Sequence, residues 1–172
     1  MEKHLMRHLR IFYPLFSLIL CAGMISCVSV DIKPKAPKKS KVYKYAEPKK
    51  PFAEMDSDQA DHAWQNPKTG NTIAVLTECS ETRDPSLVSI EGDTINALTN
   101  PNKLKSDSIQ FADRGGLRTL VEGQVDGVNV KMDVVTFKKN SCSYTLSYIG
   151  RSKNFEKDQS SFEDFLKGYQ VP

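Results

Sequence analysis

The chain has 172 residues, 39% of them hydrophobic, with 24 Lys and Arg against 21 Asp and Glu for a formal net charge of +3. About 115 of these residues follow Met55, the size of one ordinary domain. The mild positive balance averages two unlike parts: residues 31–51 carry eight lysines against Asp31 and Glu47, whereas residues 52–172 carry 13 basic and 18 acidic side chains, a net −5.

Lys3, Arg7 and Arg10 make a positive amino-terminal region, and Ile11 to Ile25 then carries no charge. Basic residues stay cytoplasmic while such an apolar stretch enters the export machinery. The run Gly23-Met24-Ile25-Ser26-Cys27 resembles a bacterial lipobox, in which a small residue precedes the cysteine that is acylated and becomes the mature amino terminus. Ser26 meets the small-residue requirement, Met24 stands where Leu is usual, and Leu20 is too bulky to make Cys21 the site. The expectation is a signal peptide over 1–26 and lipid attachment, palmitate included, at Cys27. An uncleaved anchor competes with it, because Ile11 to Val30 is uncharged throughout and long enough to span a bilayer. Either way the rest of the chain is membrane-tethered and faces away from the cytoplasm. Val28 and Ser29 follow the cysteine with no Asp directly after it. By resemblance to the enterobacterial sorting rule, this favours the periplasmic face of the outer membrane over the inner membrane.

Residues 27–54 read as a disordered, Lys- and Pro-rich tether, since that composition buries little apolar surface and its prolines favour extended chain. A solvated spacer explains the lysines; contact with anionic lipid or cell-wall polymer is the functional alternative. Nucleic acid is disfavoured by the compartment.

The globular domain is expected over 55–172. Ala63-Trp64-Gln65 and Asn71 to Cys79 flank the turn-rich Asn66-Pro67-Lys68-Thr69-Gly70 and predict a hairpin, its second strand apolar enough for cover on both faces. Asp84-Pro85-Ser86 reads as a helix start, and Leu87, Ile90, Ile95 and Leu98 keep helical spacing to about residue 99, with Glu91 at the edge of the stripe. Asn100-Pro101-Asn102 then ends the helix. A short strand over Ser108 to Ala112 and a turn or bulge at Gly115-Gly116 lead into Leu117 to Val125. Asp126-Gly127 is the strongest turn signal. Val128, Val130, Met132 and Val134 alternate with polar residues, and Val135 and Phe137 then occupy the other face. Lys139-Asn140 predicts a turn into Cys142 to Ile149, with Tyr144, Leu146 and Tyr148 on one face. Ser160-Ser161-Phe162-Glu163 has capping-box spacing, and Phe162, Phe165, Leu166 and Tyr169 make the apolar stripe of a last helix.

This order predicts an α+β fold, a mainly antiparallel sheet flanked by two helices. Together with the ending Ser143-Tyr144-Thr145-Leu146-Ser147-Tyr148-Ile149, Asn154-Phe155-Glu156 and Phe162-Glu163-Asp164-Phe165-Leu166, it resembles the Mog1/PsbP-like α/β/α sandwich over about residues 60–170. It is similar in particular to small uncharacterised proteobacterial lipoproteins of that shape. PsbP-like proteins bind a photosynthetic complex and Mog1 binds a small GTPase. The resemblance therefore implies protein binding without chemistry, and no residue here carries over a photosynthetic role.

Once Cys21 is removed with the signal and Cys27 acylated, Cys79 and Cys142 remain in an oxidising compartment and are expected to pair. Closing a loop of about 64 residues destabilises the unfolded chain by roughly 4 kcal/mol in the entropy model. A metal pair or redox couple is the alternative; neither zinc-ligand nor Cys-x-x-Cys spacing is present.

His62 is the one histidine of the mature domain and has no nucleophile-elbow sequence to serve. Gly115-Gly116 with Arg114 and Arg118 could nest an anion, although a turn accounts for the glycines. Glu122, Asp126 and Asp133 fall close across a predicted hairpin, where acid–base work or Ca²⁺ binding competes with a solvated face. Trp64, Tyr144 and Tyr148 line either a groove or the core. No catalytic residue, cofactor or metal ligand is assigned. The expected function is non-enzymatic binding of another envelope protein, with small-ligand or cell-wall binding as the alternative.

Overall fold

A computed structural model describes residues 37–172. The export segment, Cys27 and the first part of the expected tether lie outside the described residues. Seven strands form one sheet: β1 (Ala53–Glu54), β2 (His62–Gln65), β3 (Thr72–Cys79), β4 (Thr99–Phe111), β5 (Arg114–Val125), β6 (Val128–Lys139) and β7 (Cys142–Arg151). Their order is β1-β2-β3-β7-β6-β5-β4, and every pairing is antiparallel. Helix α1 (Leu87–Ile95) packs on one face; α2 (Gln159–Gly168), preceded by a short 3₁₀ turn at Phe155–Lys157, packs on the other. The α+β expectation holds, as does the order hairpin, helix, meander, helix.

Strand β6 shows why the sheet needs cover on both sides. Val130, Met132 and Val134 face α1 with Ile95, Leu98 and Val121. Val135 and Phe137 face the opposite way, among Tyr144, Leu146, Tyr148, Phe162 and Phe165. Burying side chains of this size contributes about 1.5–3 kcal/mol each, so α2, with Phe162, Phe165 and Leu166 buried, secures the larger of the two cores.

Tight turns link β4 to β7. Ala112-Asp113, Asp126-Gly127 and Asn140-Ser141 each put two consecutive residues at positive φ, the geometry that matches the right-handed twist of the flanking strands. Asp126-Gly127 was legible. The other two are displaced from their expected positions by one to three residues. Gly115 and Gly116 lie inside β5 rather than in a turn. At Gly116 a Cβ would meet the Thr136 carbonyl oxygen at 2.8 Å, so this glycine admits β6 instead of turning the chain.

Five further expectations need correction. Helix α1 ends at Ile95 with Asn96 as its C-cap, and β4 runs from Thr99, so Asn100-Pro101-Asn102 starts a thirteen-residue strand rather than terminating a helix. Pro85 stands before the helix, whose N-cap is Ser86, with Ser86 Oγ accepting from Ser89 N–H at 3.1 Å. Ser160 lies within α2, and the N-cap residue is Asp158, whose carboxylate serves the β2–β3 loop instead: it accepts from Asn66 Nδ2 at 3.0 Å, Thr69 Oγ1 at 2.6 Å and Asn71 Nδ2 at 2.8 Å. On β3, Ile73, Val75 and Thr77 are sealed, but Thr72, Ala74 and Leu76 on the other face are only half-buried.

The largest correction concerns the tether. From Lys38 the chain lies along the α2 face as a strap. Lys38 pairs with Cys79, Lys44 pairs with Gln170, Phe52 enters the core, and β1 extends the sheet. Ser40 is buried, donating its N–H to Thr77 Oγ1 at 2.8 Å and sharing a hydrogen bond with Tyr144. Tyr43 stacks on Tyr169 and Tyr45 packs edge-on to Trp64. The composition argument failed because the lysines stay outward while Ser40, the two tyrosines and Phe52 do the packing; the ordered domain begins at least seventeen residues before the expected boundary at 55.

Candidate functional site

Helix α1 covers the β5–β6 half of its face and leaves the β2–β3–β7 half open. The result is a groove of about 1380 Å³. Its floor is lined by Ala63 of β2, Thr72, Ala74 and Leu76 of β3, and Thr145 and Ser147 of β7, most of them small or hydroxyl side chains. They alternate with the sealed Trp64, Ile73, Val75, Tyr144 and Tyr148, because neighbours along a strand point to opposite faces. Ile90, Thr94 and Ala97 make one wall, Met55 and Ala60 the other, and the loop Ser80–Pro85 closes one end. Lys138 ties that end together by bonding the Asp84 carboxylate and the Pro85 carbonyl.

A buried carboxylate fixes the wall. Glu91 on α1 is 2% exposed, so it does not sit at the solvent edge as its place on the stripe implied. It accepts from Lys103 Nζ at 2.7 Å, Ser106 Oγ at 3.2 Å and Thr119 Oγ1. Burial alone would push its carboxyl up; the hydrogen bonds from Lys103, Thr119 and Ser106 outweigh that and hold it below the usual range. The three donors come from β4 and β5, so the ionised carboxylate clamps α1 across two strands. No local sequence pattern joins residues that distant.

A second clamp lies on the other face. Arg118 of β5 donates through Nε and Nη2 to Asp133, at 3.0 and 2.6 Å, and also to Glu163 of α2. The hydrogen bond with Asp133 is the main reason the guanidinium is raised further above its ordinary range. This accounts for the charged residues singled out from the sequence. Asp133 is buried against Arg118, while Glu122 stands opposite Lys131 and Asp126 lies in the turn. The three carboxylates do not converge, and Arg118 is committed to carboxylates rather than held ready for an anion. Among the described residues, no group of three His, Cys, Asp or Glu side chains is placed to hold a metal ion.

His62 lies on the strap side of β2, outside the groove. It stacks on Trp64 at 5.7 Å between ring centroids, with Nδ1 3.5 Å from Glu54. Trp64, Tyr144 and Tyr148 are buried core residues, so they line no groove. Burial raises the Tyr43 phenol to about 12. Cys79 and Cys142 form the expected disulfide, joining directly opposed residues at the end of the β3–β7 ladder.

No protein-family model matches the chain, and no curated protein matches it in sequence. Solved structures do match in shape. CyanoP, the cyanobacterial PsbP of Synechocystis, aligns with a TM-score of 0.55 over 87% of this chain and 99% of that chain, at 9% identity. The fold is PsbP-like. LpqN of Mycobacterium tuberculosis, a protein involved in cell envelope biogenesis, aligns with a TM-score of 0.56 over 81% of this chain and 88% of that one, at 8% identity. Such identities carry the PsbP-like fold and no residue roles, so the groove and its clamps stand on this chain's own geometry.

Proposed function

We propose that this is an exported lipoprotein, acylated at Cys27 and held on the periplasmic face of the outer membrane, whose PsbP-like domain binds another envelope protein in the groove over β2, β3 and β7. The observation that carries the reading is the uncovered floor. Ala74 and Leu76 alternate with the sealed Ile73 and Val75, and a strand apolar on both faces calls for cover on both. The groove is also open and larger than the ~300–1,000 Å³ typical of small-molecule sites, which favours a protein segment over a small ligand. The disulfide and the lipobox-like run both suit an oxidising compartment. That LpqN is involved in cell envelope biogenesis and CyanoP is a PsbP agrees with a binding role in an envelope setting.

Replacing the half-buried Ser147 with a photo-crosslinking amino acid in intact cells tests the reading. A discrete adduct with one envelope protein is expected, absent when the probe is placed at the buried Val75. Recovery of the uncrosslinked lipoprotein alone, with probes at both Ser147 and Ala74, would overturn it. Metabolic palmitate labelling that survives Cys27→Ala would overturn the anchoring part.

A further inference from the structure

The strap carries the opposite charge from the domain it lies on. Residues 37–51 hold six lysines and one acidic residue, Glu47, a net +5, against the net −5 of residues 52–172. All six lysines are exposed. Two are neutralised where they stand: Lys38 faces Glu81 at 3.7 Å and Lys39 faces Asp61 at 3.0 Å. Among the described residues, Lys41, Lys44, Lys49 and Lys50 form no ion pair. Val42, between the first two of these, is 53% exposed. The strap is pinned from below by the buried Ser40 and by reciprocal backbone hydrogen bonds between Lys44 and Gln170, both 2.8 Å. A free tether would scatter its charges through solvent; this docked one presents them together, on the side of the sheet opposite the groove.

We propose that the strap is a docking surface for the anionic phospholipid headgroups of the bilayer that anchors the chain, so that the α2 side lies against the membrane and the groove faces away from it. The inference rests on the membrane anchoring proposed above, whether through Cys27 or through the apolar segment. The eleven-residue step from Cys27 to Lys38 reaches at most about 36–40 Å when fully extended, which keeps an anchored strap near the headgroups. Lysine suits that surface, because its ammonium binds phosphate as a point charge and needs no aligned acceptor pair. Its long stem lets the head reach the phosphates while the exposed Val42 meets the acyl boundary. Each lysine brought to an anionic leaflet strengthens the contact about fivefold. The same leaflet repels the net negative remainder of the domain, and this selects the face that docks. The groove is thereby left open to a protein partner.

The test places the full chain in bilayer nanodiscs, either of phosphatidylcholine alone or of phosphatidylcholine with phosphatidylglycerol, and follows the rate at which each lysine is acetylated. Lys41, Lys44, Lys49 and Lys50 should react about fivefold or more slowly in the anionic discs. Lys103, bonded to Glu91 of α1, and Lys138, at the end of the groove, should react equally in both. Raising the salt to about 1 M, where charges are screened beyond roughly 3 Å, should abolish the difference. Equal rates at the four strap lysines, slowing of Lys103 and Lys138 to the same degree, or a difference that survives high salt would each overturn the proposal. Lys41→Glu with Lys44→Glu takes residues 37–51 from +5 to +1 and should expose Lys49 and Lys50 to the reagent; unchanged protection there counts against it. Protection by purified cell-wall sacculi but not by anionic discs would assign the strap to the polymer and overturn the lipid contact. Copurification of chain and discs reports the anchoring, and lysine reactivity reports the face, so the two readings fail separately; neither needs the groove's partner.

Discussion

The two faces of one sheet do different work. Towards α2 and the strap, β3 and β7 present Ile73, Val75, Tyr144, Leu146 and Tyr148, all 0% exposed. Towards the groove, the alternate residues of the same strands are Thr72, Ala74, Leu76, Ser143, Thr145, Ser147 and Ile149. Large aromatic and branched side chains, filled in by two layers of chain, make one face a source of stability. Mostly small and hydroxyl side chains, half-buried except for the buried Thr145, make the other a surface open to a partner, with Leu76 and Ile149 as its larger apolar contacts. Strand alternation separates the two tasks within single strands.

The contrast breaks most visibly at Phe162. Phe162→Ala empties the centre of the sealed face and should cost about 3–5 kcal/mol, read from denaturant midpoints at constant slope; a loss below about 1 kcal/mol would mean α2 is not what holds the sheet. Next comes the clamp that positions the groove wall. Glu91→Gln leaves Lys103 without its carboxylate and should cost about 1–3 kcal/mol at neutral pH, the lower end because Lys103 is 46% exposed and partly screened. The Glu91 carboxyl is held low in the folded state, so its contribution is full above the unfolded value near ~4.3 and disappears as pH falls through the folded value. The gap between wild type and variant should therefore narrow in acid, and an equal gap in melts at pH 7 and pH 3 would rule out this role. The smallest stability change is expected on the open face. Ala74→Leu should shift stability by no more than about 0.5 kcal/mol while abolishing the Ser147 crosslink, and an undiminished crosslink would separate partner binding from the groove floor.

Legibility followed the range of the interactions involved. The stripe Phe162, Phe165, Leu166 and Tyr169, the alternation along β6 and the Asp126-Gly127 turn depend on neighbours within one element, and the sequence displays them directly. The disulfide was legible because compartment and count left Cys79 and Cys142 together. Glu91 was misplaced because its donors Lys103, Ser106 and Thr119 lie on two later strands. The strap was missed because six outward lysines after residue 37 mask the inward Ser40, Tyr43, Tyr45 and Phe52. The groove was invisible for a related reason: continuous apolarity in β3 shows that a strand calls for cover, not whether the chain itself supplies it.

The tight turns that link β4 to β7 also carry a consequence for the order of assembly. Hairpins that close over two residues are among the quickest contacts a chain can make, because little loop entropy is lost. The β3–β7 seam, by contrast, joins residues 63 apart at Cys79 and Cys142. Loop entropy therefore favours closing the β4–β7 meander before the amino-terminal hairpin docks on it. Thiol trapping during oxidative refolding should therefore find Cys79 and Cys142 still free in species whose meander is already protected, and early pairing would reverse that order.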